Sequence, residues 1–239
     1  LDSLLEAGFD PEDQGRRALA WHREGAYTPD GDGRFDIGRT TAAALHALEH
    51  GTPATDAGPT GEHTCGNGSL MRILPLALWG RTLPAADLAG MAHIASRVTH
   101  GHPRCQVACA VYCLIVQRLL GGEDRDAALA LALADARAIY AATRALPEHL
   151  AALDELEAWP AREGSGYVLD AFWSAWDAFA GATGYEQTIR RAVACGRDTD
   201  TTAADFGAGA PDASTTVTET GDGEVTLQPT FASEFPGTA

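Results

Sequence analysis

Two carboxylates, Asp198 and Asp200, stand two residues apart in the stretch Gly196-Arg197-Asp198-Thr199-Asp200-Thr201-Thr202, interleaved with hydroxyls. Carboxylate and hydroxyl oxygens are hard donors, suited to Mg²⁺ or Mn²⁺ rather than to a soft metal. With Asp198 at a helix start and Asp200 in the first turn, both can face one ion without a long loop. The same residue types also serve as N-caps, because their oxygens satisfy orphan backbone N–H groups. A cap needs one such residue, and here five follow one another.

Three further stretches could carry chemistry. In Cys65-Gly66-Asn67-Gly68-Ser69-Leu70-Met71-Arg72, glycines flank an Asn ahead of an apolar helix. Glycine lets backbone approach a ligand closely, and a helix N-terminus attracts anions such as phosphate. The plainer reading is a tight turn before a buried helix. Thr99-His100-Gly101-His102-Pro103 sets two histidines between apolar helices. They could bind a ligand or metal or act as acid or base, or form a polar hinge with His102 near an N-cap. Gly164-Ser165-Gly166-Tyr167 presents an aromatic ring after a flexible loop, to stack on a base or sugar or to join the core. Cys105, Cys109 and Cys113 recur every four residues, but their neighbours are Val, Ala and Leu, so they read as small apolar packing groups.

The elements that must position these groups are helices. Asp10-Pro11-Glu12 is a helix entry, with an N-cap Asp and Pro at the first helical position. That helix is expected to run to about Glu24. A Gly- and Asp-rich loop, 25–38, leads into Asp36-Ile37-Gly38-Arg39-Thr40-Thr41 and a helix to His50. After a loop over 52–62 and the glycine stretch, helical periodicity continues from Pro84 to Val98 and from Pro103 to Leu119, where Gly121-Gly122 stops it. Segments 123–146 and 147–159 are helical, and Gly164-Ser165-Gly166 leads a helix bearing Phe172, Trp173, Trp176 and Phe179. Thr183-x-x-Glu186 reads as a capping box for the helix that delivers Asp198. Residues 1–204 are therefore expected to form an all-α, single compact multi-helix domain. From 205 to 239 there is no Lys or Arg and few large apolar residues. There Thr216–Thr220 and Glu224–Gln228 flank Gly221-Asp222-Gly223, a β-hairpin signature on a Thr- and Gly-rich acidic tail that is otherwise expected to be weakly ordered.

Composition narrows the function. A net charge of −16 over 239 residues argues against a nucleic-acid-binding surface. No run of 18 or more apolar residues predicts a membrane span. Five cysteines without disulfide-scaffold spacing favour a reducing, cytoplasmic setting. The chain opens with Leu1 inside helix-like sequence, which reads as a piece of something longer.

Read together, Asp36-Ile37-Gly38-x-Thr40-Thr41, Gly66-Asn67-Gly68-Ser69-Leu70-Met71-Arg72, Thr99-His100-x-His102-Pro103, Ser165-Gly166-Tyr167-Val168 and Gly196-x-Asp198-Thr199-Asp200-Thr201-Thr202 occur in this order. The ordered set resembles the ADP-ribosylglycohydrolase family, which includes the dinitrogen-reductase-activating glycohydrolases, over about residues 1–204. The resemblance implies an all-α fold and a binuclear Mg²⁺ or Mn²⁺ centre. It implies hydrolysis of the bond between ADP-ribose and a protein side chain or small acceptor, often arginine. Its partners would be ADP-ribosylated proteins or ADP-ribose-containing small molecules.

By the same resemblance, Asp198, Asp200 and Thr201 correspond to metal ligands, and Gly66, Asn67, Gly68 and Ser69 to the loop that holds the diphosphate and ribose. His100 corresponds to a substrate-contacting histidine, and Gly166 and Tyr167 to the adenosine-side wall. The family's Gly-Asp-x-x-Gly and Asp-Asp-Thr segments, with the remaining metal ligands and an acidic catalytic residue, have no counterpart in these 239 residues. The small-residue helix after Asp200 is expected to stop at Ala204. This chain alone is therefore expected to be poorly active. The alternatives are an ADP-ribose-binding remnant without catalysis and a helical domain whose motifs are inherited packing.

Overall fold

The computed structural model describes residues 1–28, 37–143, 147–207, 216–219 and 225–228. The expected opening motif residue Asp36 lies outside the described residues. The chain is helical, as the periodicity predicts: α1 (Asp2–Ala7), α2 (Pro11–Glu24), α3 (Arg39–Glu49), α4 (Leu74–Trp79), α5 (Ala85–Arg97), α6 (Pro103–Leu120), α7 (Arg125–Ala142), α8 (Pro147–Ala158), α9 (Val168–Ala180), α10 (Tyr185–Ala194) and α11 (Thr199–Gly207). Short 3-10 turns at Ala54–Asp56, Glu62–Thr64 and Asn67–Arg72 link α3 to α4.

Capping chemistry fixes several helix starts. The Asp10 carboxylate accepts from the N–H groups of Glu12 (2.9 Å) and Asp13 (3.2 Å), with Pro11 opening α2. Asp124 does the same for α7 through the Ala127 N–H (2.8 Å). The capping box expected at Thr183 and Glu186 takes another form. The Thr183 N–H and hydroxyl both pair with Gln187 Oε1 (2.7 and 2.9 Å), while Glu186 bonds Arg190 one turn on. Gln187 reaches back where Glu186 was expected to, because Gly184 is the residue that enters the helix in extended backbone.

The core is organised on α6, which packs against α4, α5, α7, α8 and α9. A helix apolar on every side belongs in a core, and Cys105 to Val116 are all buried. Cys105, Cys109 and Cys113 are fully buried in the core, as the apolar sequence around them predicts. Phe172, Trp173, Trp176 and Phe179 of α9 close the other side.

The acidic helix α11 runs to Gly207, past the expected end at Ala204. It packs on α9, α10 and the 3-10 turn Asn67–Arg72. Farther on, β1 (Thr216–Glu219) and β2 (Val225–Gln228) pair antiparallel, with Thr216 opposite Gln228 and Glu219 opposite Val225. This is the expected hairpin.

One close backbone crossing fixes the loop that carries His100. The Gly58 N–H donates to Arg97 O (2.8 Å) and the Gly101 N–H to Pro59 O (3.0 Å). A Cβ on Gly101 would lie 2.3 Å from Gly58 O, and one on Gly58 would lie 2.4 Å from Arg97 O. Backbone cannot yield as a flexible side chain does. Gly101→Ala is therefore expected to cost about 3 kcal/mol, as overpacking does. A shifted urea midpoint at unchanged slope would register it; a midpoint within error of the parent would refute this crossing.

Candidate functional site

Three segments distant in sequence are stitched together at one place. The Asn67 N–H donates to Gly166 O (3.1 Å) and the Val168 N–H to Cys65 O (3.0 Å), so Gly66 and Tyr167 form a one-rung antiparallel bridge. The Asp198 N–H donates to Gly164 O (2.8 Å), and the Asn67 side-chain N–H₂ donates to Asp198 Oδ2 (2.8 Å). Asp198 stands just before α11, and its own C=O accepts from the Thr202 N–H (3.2 Å) and hydroxyl (2.8 Å). Thus Asp198 takes the N-cap position while its carboxylate reaches across to the glycine loop. The preceding Arg197 is held at φ 57°, a left-handed conformation that costs a non-glycine residue energy and turns the chain sharply into the acidic helix.

These segments line an open cavity of about 1400 Å³, above the roughly 300–1,000 Å³ of ordinary ligand pockets. Of the expected site residues, Gly66, Asn67, Gly68, His100, Gly166, Tyr167, Asp198, Asp200 and Thr201 all line it. Ser69 does not. It is wholly buried, its oxygen meeting Ser96 Oγ (3.0 Å) and Cys109 Sγ (3.5 Å). The 3-10 winding of Asn67–Arg72 turns it inward, where it braces the loop against α5 and α6 instead of lining the cavity. His102 also serves the fold, accepting the Arg104 N–H at the start of α6 (3.2 Å).

The loop bearing Gly166 is held by a carboxylate that motif reading did not single out. Asp170 is 2% exposed and accepts from the N–H groups of Glu163 (2.9 Å) and Ser165 (2.6 Å), while Ser174 Oγ accepts from the Gly164 N–H (2.9 Å). Burial alone would raise the Asp170 pKa, but the Ser165 and Glu163 hydrogen bonds outweigh it and hold the carboxyl below its usual range. An acidic residue one turn into a helix after a Gly-Ser-Gly loop was the available signal. Asp170→Ala leaves the part-buried N–H groups of Glu163 and Ser165 without their acceptor and is expected to cost about 1–2 kcal/mol. It should loosen Gly164–Gly166 enough to show as faster amide exchange at Ser165; unchanged exchange would refute this anchoring role.

Tyr167 lines the cavity and is backed by Trp159, ring centroids 4.9 Å apart. Met71, also in the lining, is 45% exposed, with its sulfur 4.0 Å from Thr201 Oγ1. Thr40 and Thr41 at the start of α3 complete the rim. His100 is buried, and desolvation together with the Arg72 cation pushes its pKa down to about 3, so the ring is neutral.

The donor set can be judged against a hard divalent ion. Asp198, Asp200 and Thr201 offer carboxylate and hydroxyl oxygens to the cavity, the types Mg²⁺ and Mn²⁺ prefer. Among the described residues, no three His, Cys, Asp or Glu side chains gather closely enough to hold an ion. The donor types suit such an ion, but the described residues alone do not assemble a site for one. No helix among the described residues is long and apolar enough to cross a membrane.

Comparison with known proteins gives a consistent picture. Over 92 residues the chain is 35% identical to the ADP-ribosyl-[dinitrogen reductase] glycohydrolase of Rhodospirillum rubrum, covering 38% of this chain and 30% of that protein. Over 213 residues it is 28% identical to the ADP-ribosylarginine hydrolase Tri1 of Pseudomonas putida (strain GB-1), covering 86% of this chain and 53% of that one. A solved structure described as an ADP-ribosylglycohydrolase-related protein complex superimposes with a TM-score of 0.64 at 34% identity, over 86% of this chain and 64% of its own. The chain thus spans only part of each of these relatives, about half of the Pseudomonas enzyme. The family model for ADP-ribosylglycohydrolase matches residues 1–210, and with that match the chain belongs to the ADP-ribosylglycohydrolase family.

Proposed function

We propose that the cavity binds ADP-ribose and that the domain serves hydrolysis of the N- or O-glycosidic bond between ADP-ribose and a protein side chain or small acceptor. The observation that carries this reading is the Asn67–Asp198 hydrogen bond, which joins the glycine loop to the acidic helix at one cavity. Backbone at Gly66–Gly68 offers close approach to a diphosphate. The Tyr167 ring offers a face for the adenosine. Asp198, Asp200 and Thr201 would hold Mg²⁺ or Mn²⁺, two ions in the complete site. Such ions clamp a diol, polarise an anomeric centre and activate water. Asn67 orients Asp198 and leaves Oδ1 for an ion. His100, neutral and buried beside the loop, contacts substrate. The two named relatives, one acting on dinitrogen reductase and one on ADP-ribosylarginine, support an ADP-ribosylated side chain such as arginine as the acceptor.

A second reading, an ADP-ribose-binding remnant without catalysis, is favoured by one observation. Asp198 and Asp200 have no third carboxylate or imidazole gathered with them among the described residues. The 239-residue chain tested by itself is therefore expected to turn over slowly. Release of ADP-ribose from ADP-ribosylarginine, with Mg²⁺ and with chelator, tests both readings. Slow, Mg²⁺-dependent release abolished by Asp198→Ala supports hydrolysis. Binding without release supports the remnant. Neither binding nor release would overturn the proposal.

A further inference from the structure

We infer that His100 presents a fixed Nε2–H donor to the cavity, its tautomer set by a hydrogen-bond relay from Arg72 through Thr99, and that this donor meets an acceptor oxygen of the ligand's phosphates. The relay follows from counting protons. An arginine carries donors only. Arg72 Nη2 donates to Ala95 O (2.9 Å) and to Thr99 Oγ1 (2.8 Å), so the Thr99 oxygen spends a lone pair there. Thr99 is 4% exposed, and its hydroxyl has one proton to place. The remaining partner of that hydroxyl among the described residues is His100 Nδ1, at 2.9 Å. A buried donor left without an acceptor is costly, so the Thr99 proton goes to Nδ1. A neutral imidazole that accepts at Nδ1 carries its own proton at Nε2.

The ring edge bearing Nε2 lies against the glycine loop. A Cβ on Gly66 would sit 3.4 Å from Nε2, and one on Gly68 would sit 2.9 Å from Cε1 and 3.3 Å from Nε2. The two glycines thus make room for the imidazole where a larger residue would crowd it. His100, Gly66 and Gly68 line the same cavity, and no hydrogen-bond acceptor for Nε2 is found among the described residues. The backbone holds the ring in place as well, with the His100 N–H on Ser96 O (2.7 Å) and the Ser96 hydroxyl 2.9 Å from His100 O.

Two consequences follow. His100 binds as a donor and has no lone pair to offer as a base from Nε2. Thr99 and Arg72 become positioning residues, acting on ligand only through the ring. Arg72 further opposes a second proton on His100 by its charge. Among the described residues Arg72 has no ion-pair partner, so its charge also favours an anion in the cavity it lines.

The ligand half of this inference rests on the ADP-ribose reading; the tautomer half does not. Long-range ¹⁵N–¹H spectra of the whole chain read the tautomer directly, with His100 signals assigned against His100→Gln. The expected result is a pyridine-like Nδ1 and a pyrrole-like Nε2. Thr99→Val should move the proton to Nδ1 or mix the forms, and should weaken ADP-ribose binding about tenfold, the worth of one charge-assisted hydrogen bond. Thr99→Ser should keep both the parent tautomer and the parent affinity. A pyridine-like Nε2 in the parent, or an unchanged tautomer in Thr99→Val, would overturn the relay. Should Thr99→Val fail to fold, the parent spectrum and Thr99→Ser still decide it. The expected tautomer with no ADP-ribose binding would sustain the relay and remove its ligand.

Discussion

Asn67→Asp is expected to break the junction between the glycine loop and the acidic helix. Asn67 is 8% exposed, and its side-chain N–H₂ donates to Asp198 Oδ2 at 2.8 Å. The substitution keeps shape and volume, removes the donor, and sets a second carboxylate against the first. Two carboxylates sharing one site cannot both ionise freely. Loss of a hydrogen bond to a charged group and the new repulsion together should cost about 3 kcal/mol at neutral pH, and ADP-ribose binding should fall below detection. The swap that pairs Asn67→Asp with Asp198→Asn restores one donor and one acceptor in the opposite sense. It should recover most of the stability, whereas the proposed ion binding, which would need the Asp198 carboxylate, should stay impaired. Urea midpoints for the parent, both single variants and the swap form a double-mutant cycle. A coupling near zero would mean that Asn67 and Asp198 do not touch.

The second large effect is acid lability. His93, buried on α5, has its pKa pushed down to about 3 by desolvation, with smaller contributions from His149 and Arg97. His100 is likewise at about 3, through desolvation and Arg72, and His149 is lowered mainly by burial. In the unfolded chain each titrates near 6.5. The native state therefore binds fewer protons than the unfolded state between these values, and stability rises with pH. The stabilisation is fully present above pH 6.5 and is lost as pH falls from there toward 3. At pH 5 each of His93 and His100 should have lost about 2 kcal/mol. His93 Nε2 meets the Tyr140 hydroxyl at 2.9 Å, and its ring lies 4.7 Å from that of His149. A proton on either imidazole would thus raise the cost of the other and press α5 and α8 apart. Thermal midpoints recorded from pH 8 to pH 4.5 should drop steeply below 6.5, and His93→Phe should flatten part of that slope. A flat profile would show that these imidazoles titrate alike in the folded and unfolded chain, and would contradict their burial as neutral rings.

The helices and the order of the motifs were legible from local chemistry. Asp10-Pro11 and Gly121-Gly122 each act on a neighbour a few residues away, so their meaning survives in one dimension. Ten residues were expected at the site by motif, and the loops that carry nine of them meet at the cavity. Ser69 departs because a 3-10 turn rotates by three residues rather than 3.6, which sends its hydroxyl toward Ser96. What could not be read was partnership over distance. Asn67 and Asp198 are 131 residues apart in sequence, and Arg72 and Thr99 are 27 apart. Asp170 looked like one more helix acid until burial and two loop N–H groups gave it a task. The capping box failed more narrowly. Thr183 and Gln187 satisfy one another one residue later than the pattern demands, a difference set by Gly184 and invisible to spacing alone.

That the cavity is an ADP-ribose site with a hard-ion face is tested by calorimetric titration of the chain with ADP-ribose, with and without Mg²⁺. The expected result is saturable binding that Mg²⁺ tightens, with the tightening lost in Asp198→Ala. Absence of binding in both conditions would contradict it.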